Sequence, residues 1–243
     1  MTDTRTIIEK HEGTEDERRF EGALNAVLHM DKRDYTNYIG GLMVASGREY
    51  SISSPIDTSI IFGTFQEPEP GTADRAVDAA NDAHEKWSKV KAPERLKIFE
   101  AFLDRLVRQR YRFAAMVCLS SGMTLKDSLD DVDAFIKIVG DACEAAKTGT
   151  NGRTGAWAII SEHASPLAAP AGMAVAAMLA GNTVVSVPSA RVPMPLYFVY
   201  DLLTQFELPA GVFNLVMDPK GKMATELSDR KSTRLNSSHI TIS

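Results

Sequence analysis

Hydrophobic residues fall in two kinds of run along the second half of this chain, and the difference predicts strands and a helix. Residues 157–160 and 184–187 are short apolar, β-branched runs without polar alternation, and the Ala- and Met-rich segment 166–180 between them is apolar nearly all round. A strand–helix–strand unit of a parallel sheet buries both faces of its strands and has this pattern. Ligands bind beyond the carboxyl ends of such strands, which makes 161–165 and 187–190 the candidate ligand loops.

Upstream of this unit, apolar residues recur at helical spacing in three segments whose other faces are charged. Thr72 is placed to cap the first helix and Pro93 to open the second. Thr124, with Asp127 three residues later, predicts a capping box at the start of the third helix. The apolar stripe of the second helix consists of Ile98, Phe99, Phe102, Leu103 and Leu106. These helices predict a scaffold that supports the strands.

The amino-terminal part of the chain is predicted to form an extension followed by two short strands. Residues 1–37 are highly charged and contain one amphipathic helical patch. The apolar stretches 38–44 and 49–52 then favour strands on either side of a turn at Ser46 and Gly47. Together with the helices, this hairpin makes 38–146 the predicted scaffold region.

The pattern changes abruptly near the carboxyl end. Residues 193–206 and 222–227 are predicted to be helices, and 212–216 a third buried strand. The unit from 155 to 229 is thus interpreted as one partial domain. Residues 230–243 lack helical or strand periodicity and are similar to translated adapter sequence, so we predict that they are disordered.

Composition excludes several classes of partner. The 243 residues include 44% hydrophobic residues, enough for a sizeable core, and carry a net charge of −5 without a basic block, which argues against nucleic acid binding. The polar start and the absence of a long apolar run predict a cytoplasmic protein without a membrane partner. Cys118 and Cys143 fall in predicted helices without neighbours at metal-ligand spacing, so we expect buried thiols and no metal site.

Several motifs resemble those of the aldehyde dehydrogenase superfamily. They are EHASP at 162–166, AGNT at 180–183, VPSA at 187–190 and LPAGVFN at 208–214. The sequence PAGM at 170–173 and the long upstream region are most similar to the branch that includes 1-pyrroline-5-carboxylate dehydrogenase. The resemblance covers residues 38–229 and implies an α/β fold, with a truncated Rossmann-like βαβ dinucleotide-binding domain, an amino-terminal helical scaffold and a short hairpin.

The resemblance also implies a site and a reaction. The parent enzyme would oxidise an aldehyde, glutamate semialdehyde in the branch named above, to the acid with NAD or NADP as cofactor. By position, the cofactor-binding residues are Ile160, Ser161, Glu162, Val187, Ser189 and Ala190. The oxyanion asparagine of the family falls at Ala164, and its ribose-holding Lys and Glu fall at Val187 and Ala190, so we expect weak cofactor binding. Arg191 could approach a phosphate, although an exposed surface arginine is the interpretation favoured here.

Three interpretations of function follow from these departures. The family's nucleophilic Cys and general-base Glu belong to motifs downstream of residue 243, so the chain is interpreted as an inactive amino-terminal fragment of a homo-oligomeric enzyme with a small aldehyde substrate. A non-catalytic nucleotide-binding or assembly subunit is the alternative. A CoA-acylating branch, which also lacks the ribose lysine, is the third. The linker 147–154 is too short for the family's oligomerisation arm.

Overall fold

The computed structural model describes residues 15–149, 155–161, 165–228 and 233–237. The helices in these ranges are α1 (Glu15–Leu28), α2 (Thr72–Trp87), α3 (Ala92–Arg108), α4 (Arg110–Ser121), α5 (Leu125–Lys147), α6 (Ala168–Leu179), α7 (Met194–Leu203) and α8 (Met223–Ser228). The strands are β1 (Arg33–Tyr35), β2 (Asn37–Ile39), β3 (Leu42–Val44), β4 (Glu49–Ser53), β5 (Ile61–Gln66), β6 (Ala156–Ile160), β7 (Thr183–Val187), β8 (Phe213–Leu215) and β9 (Thr233–Ser237). None of these helices is long and apolar enough to cross a membrane.

The main sheet has six strands in the order β3-β2-β8-β7-β6-β9. Strands β8, β7, β6 and β9 are parallel, whereas β2 runs antiparallel to β8 and β3 antiparallel to β2. The chain enters the parallel part at β6, moves outward through β7 to β8, and returns to β9 on the other side of β6. This is the strand order of a Rossmann-like half, so the predicted α/β fold is confirmed. A second sheet of three strands has the order β1-β5-β4.

Helices cover both faces of the main sheet. Val184 belongs to the larger hydrophobic cluster, which includes residues from α1 and from α3 to α7, and Val185 and Val187 belong to a smaller cluster with residues of α2 and α8. Successive side chains of a strand point to opposite faces, so β7 meets a hydrophobic layer on each side. This explains why its sequence shows no polar alternation.

Helix α6 is buried at the centre of the larger cluster and has no polar side chain of its own. Scaffold helices therefore supply both of its caps. At its start, Asp131 of α5 accepts hydrogen bonds from the backbone N–H of Leu167 (3.2 Å) and Ala168 (3.3 Å). At its end, Trp87 Nε1 donates to the carbonyl of Met178, and Arg95 Nε donates to the carbonyl of Leu179, each at 2.8 Å. A carboxylate at the first turn and a guanidinium at the last both complement the helix dipole.

The close approach of α5 to α6 depends on Gly172. A Cβ atom at this position would lie 2.7 Å from Cγ2 of Ile138, too near for any side chain unless Ile138 or the helix moves. Glycine therefore has a packing role in the middle of α6, which offsets its low helix propensity.

The predicted hairpin turn at Ser46 and Gly47 is wrong. Strands β2 and β3 pair directly and turn at Gly40 and Gly41, whose φ angles are 60° and 77°. A two-residue hairpin of the favoured kind needs positive φ at both central positions, and a Gly-Gly pair adopts it without steric cost. Strand β4 instead pairs with β5 in the second sheet.

The predicted helices 166–180, 193–206 and 222–227 are all present, with ends that differ from the predicted ones by up to three residues, and the predicted cap at Thr72 is wrong. The capping box is confirmed, since Asp127 N–H donates to Thr124 Oγ1 at 3.1 Å. Pro93 lies in the first turn of α3, as predicted. The cap of α2 is Gly71, and Thr72 is the first helical residue. The amphipathic patch of the extension forms α1, which buries Phe20, Leu24 and Val27.

The prediction that 230–243 is disordered is wrong for Thr233–Ser237. These residues form β9, which pairs in parallel with β6 along its whole length, from Ala156 with Thr233 to Ile160 with Ser237. An unpaired edge of β6 would present N–H and C=O groups, and backbone pairing satisfies them without any side-chain periodicity. The rest of the predicted tail lies outside the described residues.

Candidate functional site

The carboxyl ends of β6 and β7 lie side by side. Ile160 and Val187 are paired in the sheet, and the backbone N–H of Ser161 donates to the carbonyl of Val187 at 2.9 Å. Ser189 and Ala190 follow directly after β7. The structure thus brings together five of the predicted cofactor-binding residues. Glu162, and Ala164 at the predicted oxyanion position, lie outside the described residues.

Ser161 directly follows β6, the strand at which the strand order of the sheet reverses. We call this position the reversal point. Strands β7 and β8 were added on one side of β6, and β9 on the other. In open α/β sheets, the helices on the two sides of such a point leave a crevice beyond the carboxyl ends, and ligands bind there. The position of Ser161 is therefore the expected ligand position of this fold.

Two hydroxyl groups near this edge have no hydrogen-bond partner among the described residues. They belong to Ser161, which is 8% exposed, and to Ser186, which is fully buried. An unpaired buried hydroxyl costs about 1–3 kcal/mol relative to a paired one. Of the two, only Ser161 lies beyond the end of a strand, where a bound molecule can complete its hydrogen bonding, whereas Ser186 is enclosed within the sheet.

The end of β7 is apolar where the family resemblance predicts a ribose contact. Val187 is 2% exposed and packs in the smaller hydrophobic cluster, and Ala190 has no polar atom in its side chain. Ser189, 9% exposed, is the only predicted contact on this loop with a hydroxyl group. Neither an acid nor a lysine is available in 187–190 to hold a sugar.

Helix α6 follows β6 and helix α8 follows β8, and both begin at this edge. Each already has a carboxylate at its first turn. Asp131 occupies the start of α6, and its Oδ1 also accepts a hydrogen bond from Ser165 Oγ at 3.0 Å. Asp218 Oδ1 accepts from the N–H of Lys222 and its Oδ2 from that of Met223, each at 2.9 Å, at the start of α8. In α6 and α8, first-turn N–H groups of the kind that bind phosphate in many α/β proteins are therefore already used, whereas α7, which follows β7, has no side-chain cap.

Sequence reasoning missed both aspartates. Asp218 precedes a predicted helix and could have been found as a capping residue. Asp131 had no local signal because it caps a helix that begins 37 residues later in the chain. Burial raises its pKa, and the hydrogen bonds from Ser165 and the α6 backbone act in the opposite direction.

A cleft of ≈ 600 Å³ lies beside the loop that follows β7. One wall consists of Ala190, Arg191 and Val192, and the other of β4 with the loop after it and the end of α4. Arg191 is the one charged residue among those described as lining the cleft, and its exposed side chain makes no ion pair or hydrogen bond with a described residue. Cleft and strand ends together have the size and position of a small-molecule site.

Comparison with known proteins identifies the family. The profile described as "Aldehyde dehydrogenase family" matches residues 43–237. This chain belongs to the aldehyde dehydrogenase family. The match extends through β9, into the segment that the sequence analysis had separated from the family resemblance.

Relatives of this family member include 1-pyrroline-5-carboxylate dehydrogenases and malonate-semialdehyde dehydrogenases. A 1-pyrroline-5-carboxylate dehydrogenase of Geobacillus sp. (strain WCH70) is 26% identical over 233 residues, which cover 89% of this chain and 45% of the relative. Malonate-semialdehyde dehydrogenase 2 of Shouchella clausii is 32% identical over 159 residues, covering 59% of this chain and 33% of the relative. The chain spans less than half the length of the relatives it matches.

Solved structures of the family share the fold. A 1-pyrroline-5-carboxylate dehydrogenase from Thermus with bound NAD aligns with a TM-score of 0.85 and 22% identity, over 94% of this chain and 48% of that one. A 3,6-anhydro-L-galactose dehydrogenase in complex with NAP aligns with a TM-score of 0.76 and 23% identity, over 84% of this chain and 47% of that one. The Rossmann-like interpretation and the family resemblance are both confirmed.

The two cysteines of this family member are unsuited to nucleophilic attack. Cys118 on α4 and Cys143 on α5 are both buried free thiols, as predicted. Burial raises the pKa of Cys118 to about 11 and also raises that of Cys143. Both thiols are therefore protonated at neutral pH, whereas catalysis by this route needs a thiolate.

Proposed function

We propose that this chain is the amino-terminal part of an NAD(P)-dependent dehydrogenase that oxidises an aldehyde to a carboxylic acid. The observation that carries the proposal is the unpaired hydroxyl of Ser161 at the reversal point of a Rossmann-like sheet, in a chain of the aldehyde dehydrogenase family. A dinucleotide fits this edge, because Ser161 can donate to it and Arg191 offers an unpaired positive charge. When bound, the cofactor supplies a hydride acceptor.

The residues of this chain bind and orient in such a site. Asp131 binds Ser165, Leu167 and Ala168, and thereby positions the start of α6 at this edge. Val187 supplies an apolar floor at the end of β7, which excludes water from beneath a bound ligand. No described side chain supplies a nucleophile, so the oxidation step itself is assigned to other parts of the parent enzyme.

We propose glutamate semialdehyde as the substrate of that parent. The 1-pyrroline-5-carboxylate dehydrogenase relative matches 89% of this chain, whereas the malonate-semialdehyde dehydrogenase relatives match 59% to 80%. A cytoplasmic location and a homo-oligomeric parent stay predictions, and gel filtration of the full-length protein tests the second.

Calorimetry and a turnover assay of the 243-residue chain test the proposal together. We expect NADH or NADPH to bind in the range of about 0.1–1 mM, because the ribose-holding pair of the family is missing. We also expect no cofactor reduction with glutamate semialdehyde or with a panel of other aldehydes, since both thiols are buried. Turnover above the uncatalysed rate would contradict the assignment of catalysis to other parts of the parent enzyme.

A matched pair of variants locates the binding site. Ser161→Val removes the unpaired hydroxyl and adds bulk at the reversal point, and we expect it to weaken dinucleotide binding by roughly tenfold, the effect of losing one good hydrogen bond. Ser88→Val makes the same change just beyond α2, where the scaffold meets the opposite edge of the sheet, and should leave affinity within twofold. Equal effects of the two variants would place the ligand elsewhere.

A non-catalytic nucleotide-binding or assembly subunit is the second candidate. Two features lower the expected affinity for a dinucleotide and so favour this candidate. Val187 and Ala190 are apolar, and carboxylates already cap α6 and α8. Sequencing the genomic locus downstream of the codon for Asp229 separates the two candidates. An open frame with the family's Cys and Glu motifs supports the dehydrogenase, and a stop codon supports the subunit.

A further inference from the structure

Strand β3 is an edge of the main sheet that carries exposed apolar side chains. It pairs with β2 on one side, and no described strand pairs with its other side. Leu42 is 70% exposed and Met43 67%, more than any other exposed large hydrophobic residue in the described ranges. Proteins normally protect such an edge with charged residues, a proline or a bulge. Residues 39–47, IGGLMVASG, contain no charge and no proline, and the ladder from β2 to β3 is regular, so this edge is open to pairing.

The register of the hairpin turns the backbone of Met43 toward the open edge. Ile39 and Leu42 flank the two-residue turn and form its hydrogen-bonded pair. Hydrogen-bonded and non-hydrogen-bonded pairs alternate along an antiparallel ladder, so the next pair, Tyr38 with Met43, is not hydrogen-bonded. The N–H and C=O groups of Met43 therefore face away from β2 and are available to another strand.

An apolar groove lies next to this edge, on the face of the sheet to which Met43 points. Met43 is opposite Tyr38 in the ladder, and cross-strand partners point to the same face. The rings of Tyr38 and Tyr200 stack with their centroids 4.0 Å apart, and Tyr200 lines a groove of ≈ 270 Å³. Gly41 of the hairpin turn lines the groove as well, and its apolar walls include Leu203, Phe206, Leu208 and Phe213. Edge and groove thus form one continuous apolar surface.

A second copy of this chain is the occupant that suits this surface. Each copy carries a net charge of −5, so two copies repel each other wherever their charged surfaces meet. Neither residues 39–47 nor the described lining of the groove includes a charged residue, so two copies can approach here without that repulsion. A two-fold axis brings the same patch together from both copies, and an uncharged apolar edge strand is complementary to itself in antiparallel pairing.

We propose that two copies of this chain associate through β3 about a two-fold axis. The two β3 strands pair in antiparallel fashion and join the two main sheets into one. With the axis at Met43, this residue lies against its counterpart, and Ala45 of each copy lies opposite Gly41 of the other, at the mouth of the groove. The inference is independent of the proposed dehydrogenase function, because it rests on the surface of the chain alone.

Sedimentation equilibrium of the 243-residue chain tests the association. A three-residue strand and one groove form a smaller patch than the about 800 Å² per partner of a stable complex, so the dimer should be weak. We expect a monomer–dimer equilibrium with a dissociation constant on the order of 10–100 μM. A chain that stays monomeric up to about 500 μM would overturn the proposal and leave this edge to a different partner.

A matched pair of variants locates the contact. Met43→Glu places a carboxylate of each copy at the centre of the paired strands, and we expect it to weaken the dimer at least tenfold. Val107→Glu makes the same change at a residue of α3 that is 50% exposed, and should leave the dissociation constant within twofold. Both side chains are exposed, so both variants should keep the melting temperature of the wild type. Equal weakening by the two variants, or none by Met43→Glu, would overturn the assignment to β3.

Hydrogen exchange followed by NMR reports on β3 without any substitution. The amide of Met43 should exchange more slowly as the protein concentration rises through the dissociation constant, because it becomes hydrogen-bonded in the dimer. The amide of Leu42 is already paired with β2 and should exchange at the same rate throughout. Exchange of the Met43 amide that does not depend on concentration would overturn the strand pairing.

Discussion

Polar side chains at the amino edge of the main sheet are hydrogen-bonded to the chain around them. Asn182 Oδ1 accepts from the N–H of Gly155 at 3.2 Å, and Thr183 Oγ1 donates to the carbonyl of Ala80 at 2.8 Å. Asn214 Nδ2 donates to two carbonyls, and its Oδ1 accepts from a backbone N–H. These groups join strands, the hairpin and a scaffold helix, so their role is structural.

The carboxyl edge differs, because the hydroxyls of Ser161 and Ser186 and the guanidinium of Arg191 lack partners in the part of the chain described. Helix α6 spans the two edges and is capped at both, by Trp87 and Arg95 at the amino edge and by Asp131 at the carboxyl edge. Polar groups at the amino edge stabilise the fold, whereas the carboxyl edge has both helix caps, Asp131 and Asp218, and two groups without partners among the described residues, the Ser161 hydroxyl and the Arg191 guanidinium.

The largest expected effect is at the amino edge. Arg95 is 1% exposed and donates to the carbonyls of Leu179 and Val90. We expect Arg95→Ala to lower the free energy of unfolding by about 3 kcal/mol, since it removes the side-chain donor from one buried and one part-buried carbonyl and leaves a cavity beside Trp87. Urea unfolding followed by circular dichroism measures it. The exposed Arg105→Ala should cost less than about 0.5 kcal/mol, and similar losses for both would refute the structural role.

Asn214→Leu should come next. The substitution keeps the branched shape of the side chain but leaves the N–H of Gly40 and the carbonyls of Val184 and Gly211 without this partner. We expect a loss of about 2 kcal/mol in the same urea experiment. Asn25→Leu, on the exposed face of α1, is the control and should change stability by less than about 0.5 kcal/mol.

Asp131→Ala removes the carboxylate that caps α6 at the carboxyl edge. We expect it to lower the free energy of unfolding by about 1.5 kcal/mol, the usual cost of a lost helix cap. Asp130→Ala, at the neighbouring position on α5, breaks only an exposed ion pair with Lys126 and should lower the free energy of unfolding by about 0.3 kcal/mol. If the two substitutions lower the free energy of unfolding equally, the cap contributes no more stability than a surface ion pair does.

The pH dependence of stability gives a smaller effect from the same residue. Burial raises the pKa of Asp131 above its ordinary value of 3.8, so the folded chain holds this proton more tightly than the unfolded chain does. The stability from this group is therefore complete below pH 3.8 and decreases as pH rises toward the raised pKa, with no further change above it. The free energy of unfolding of the wild type minus that of Asp131→Asn, measured by urea unfolding across this pH window, should decrease as the pH rises. A difference that grows with pH would contradict the raised pKa.

The smallest effect is expected at the unpaired hydroxyls. Ser161→Ala and Ser186→Ala remove buried groups without partners among the described residues, so stability should change by less than about 0.5 kcal/mol or increase. Ser54→Ala is the matched control, because this buried hydroxyl donates to the carbonyl of Leu119 at 2.6 Å, and it should cost about 1 kcal/mol. A loss above about 1 kcal/mol at Ser161 or Ser186 would show that these hydroxyls stabilise the fold.

Local sequence determined the elements that depend on neighbouring residues. The capping box at Thr124, the proline at the start of α3, and the apolar strands β6 and β7 were all predicted, because each depends on a spacing of a few residues. The loops that carry Ser161 and Val187 followed from the parallel unit itself. The burial of Cys118 and Cys143 followed equally from apolar neighbours at helical spacing.

Only the tertiary structure decided which distant groups meet. Asp131, Trp87 and Arg95 cap a helix that begins far along the chain, and no local pattern links them to it. Strand β9 shows the same limit, because its pairing uses backbone groups that every residue type offers. The unpaired state of Ser161 and Arg191 is likewise a property of the packed chain, since a partner is present or absent only once all the elements are in place.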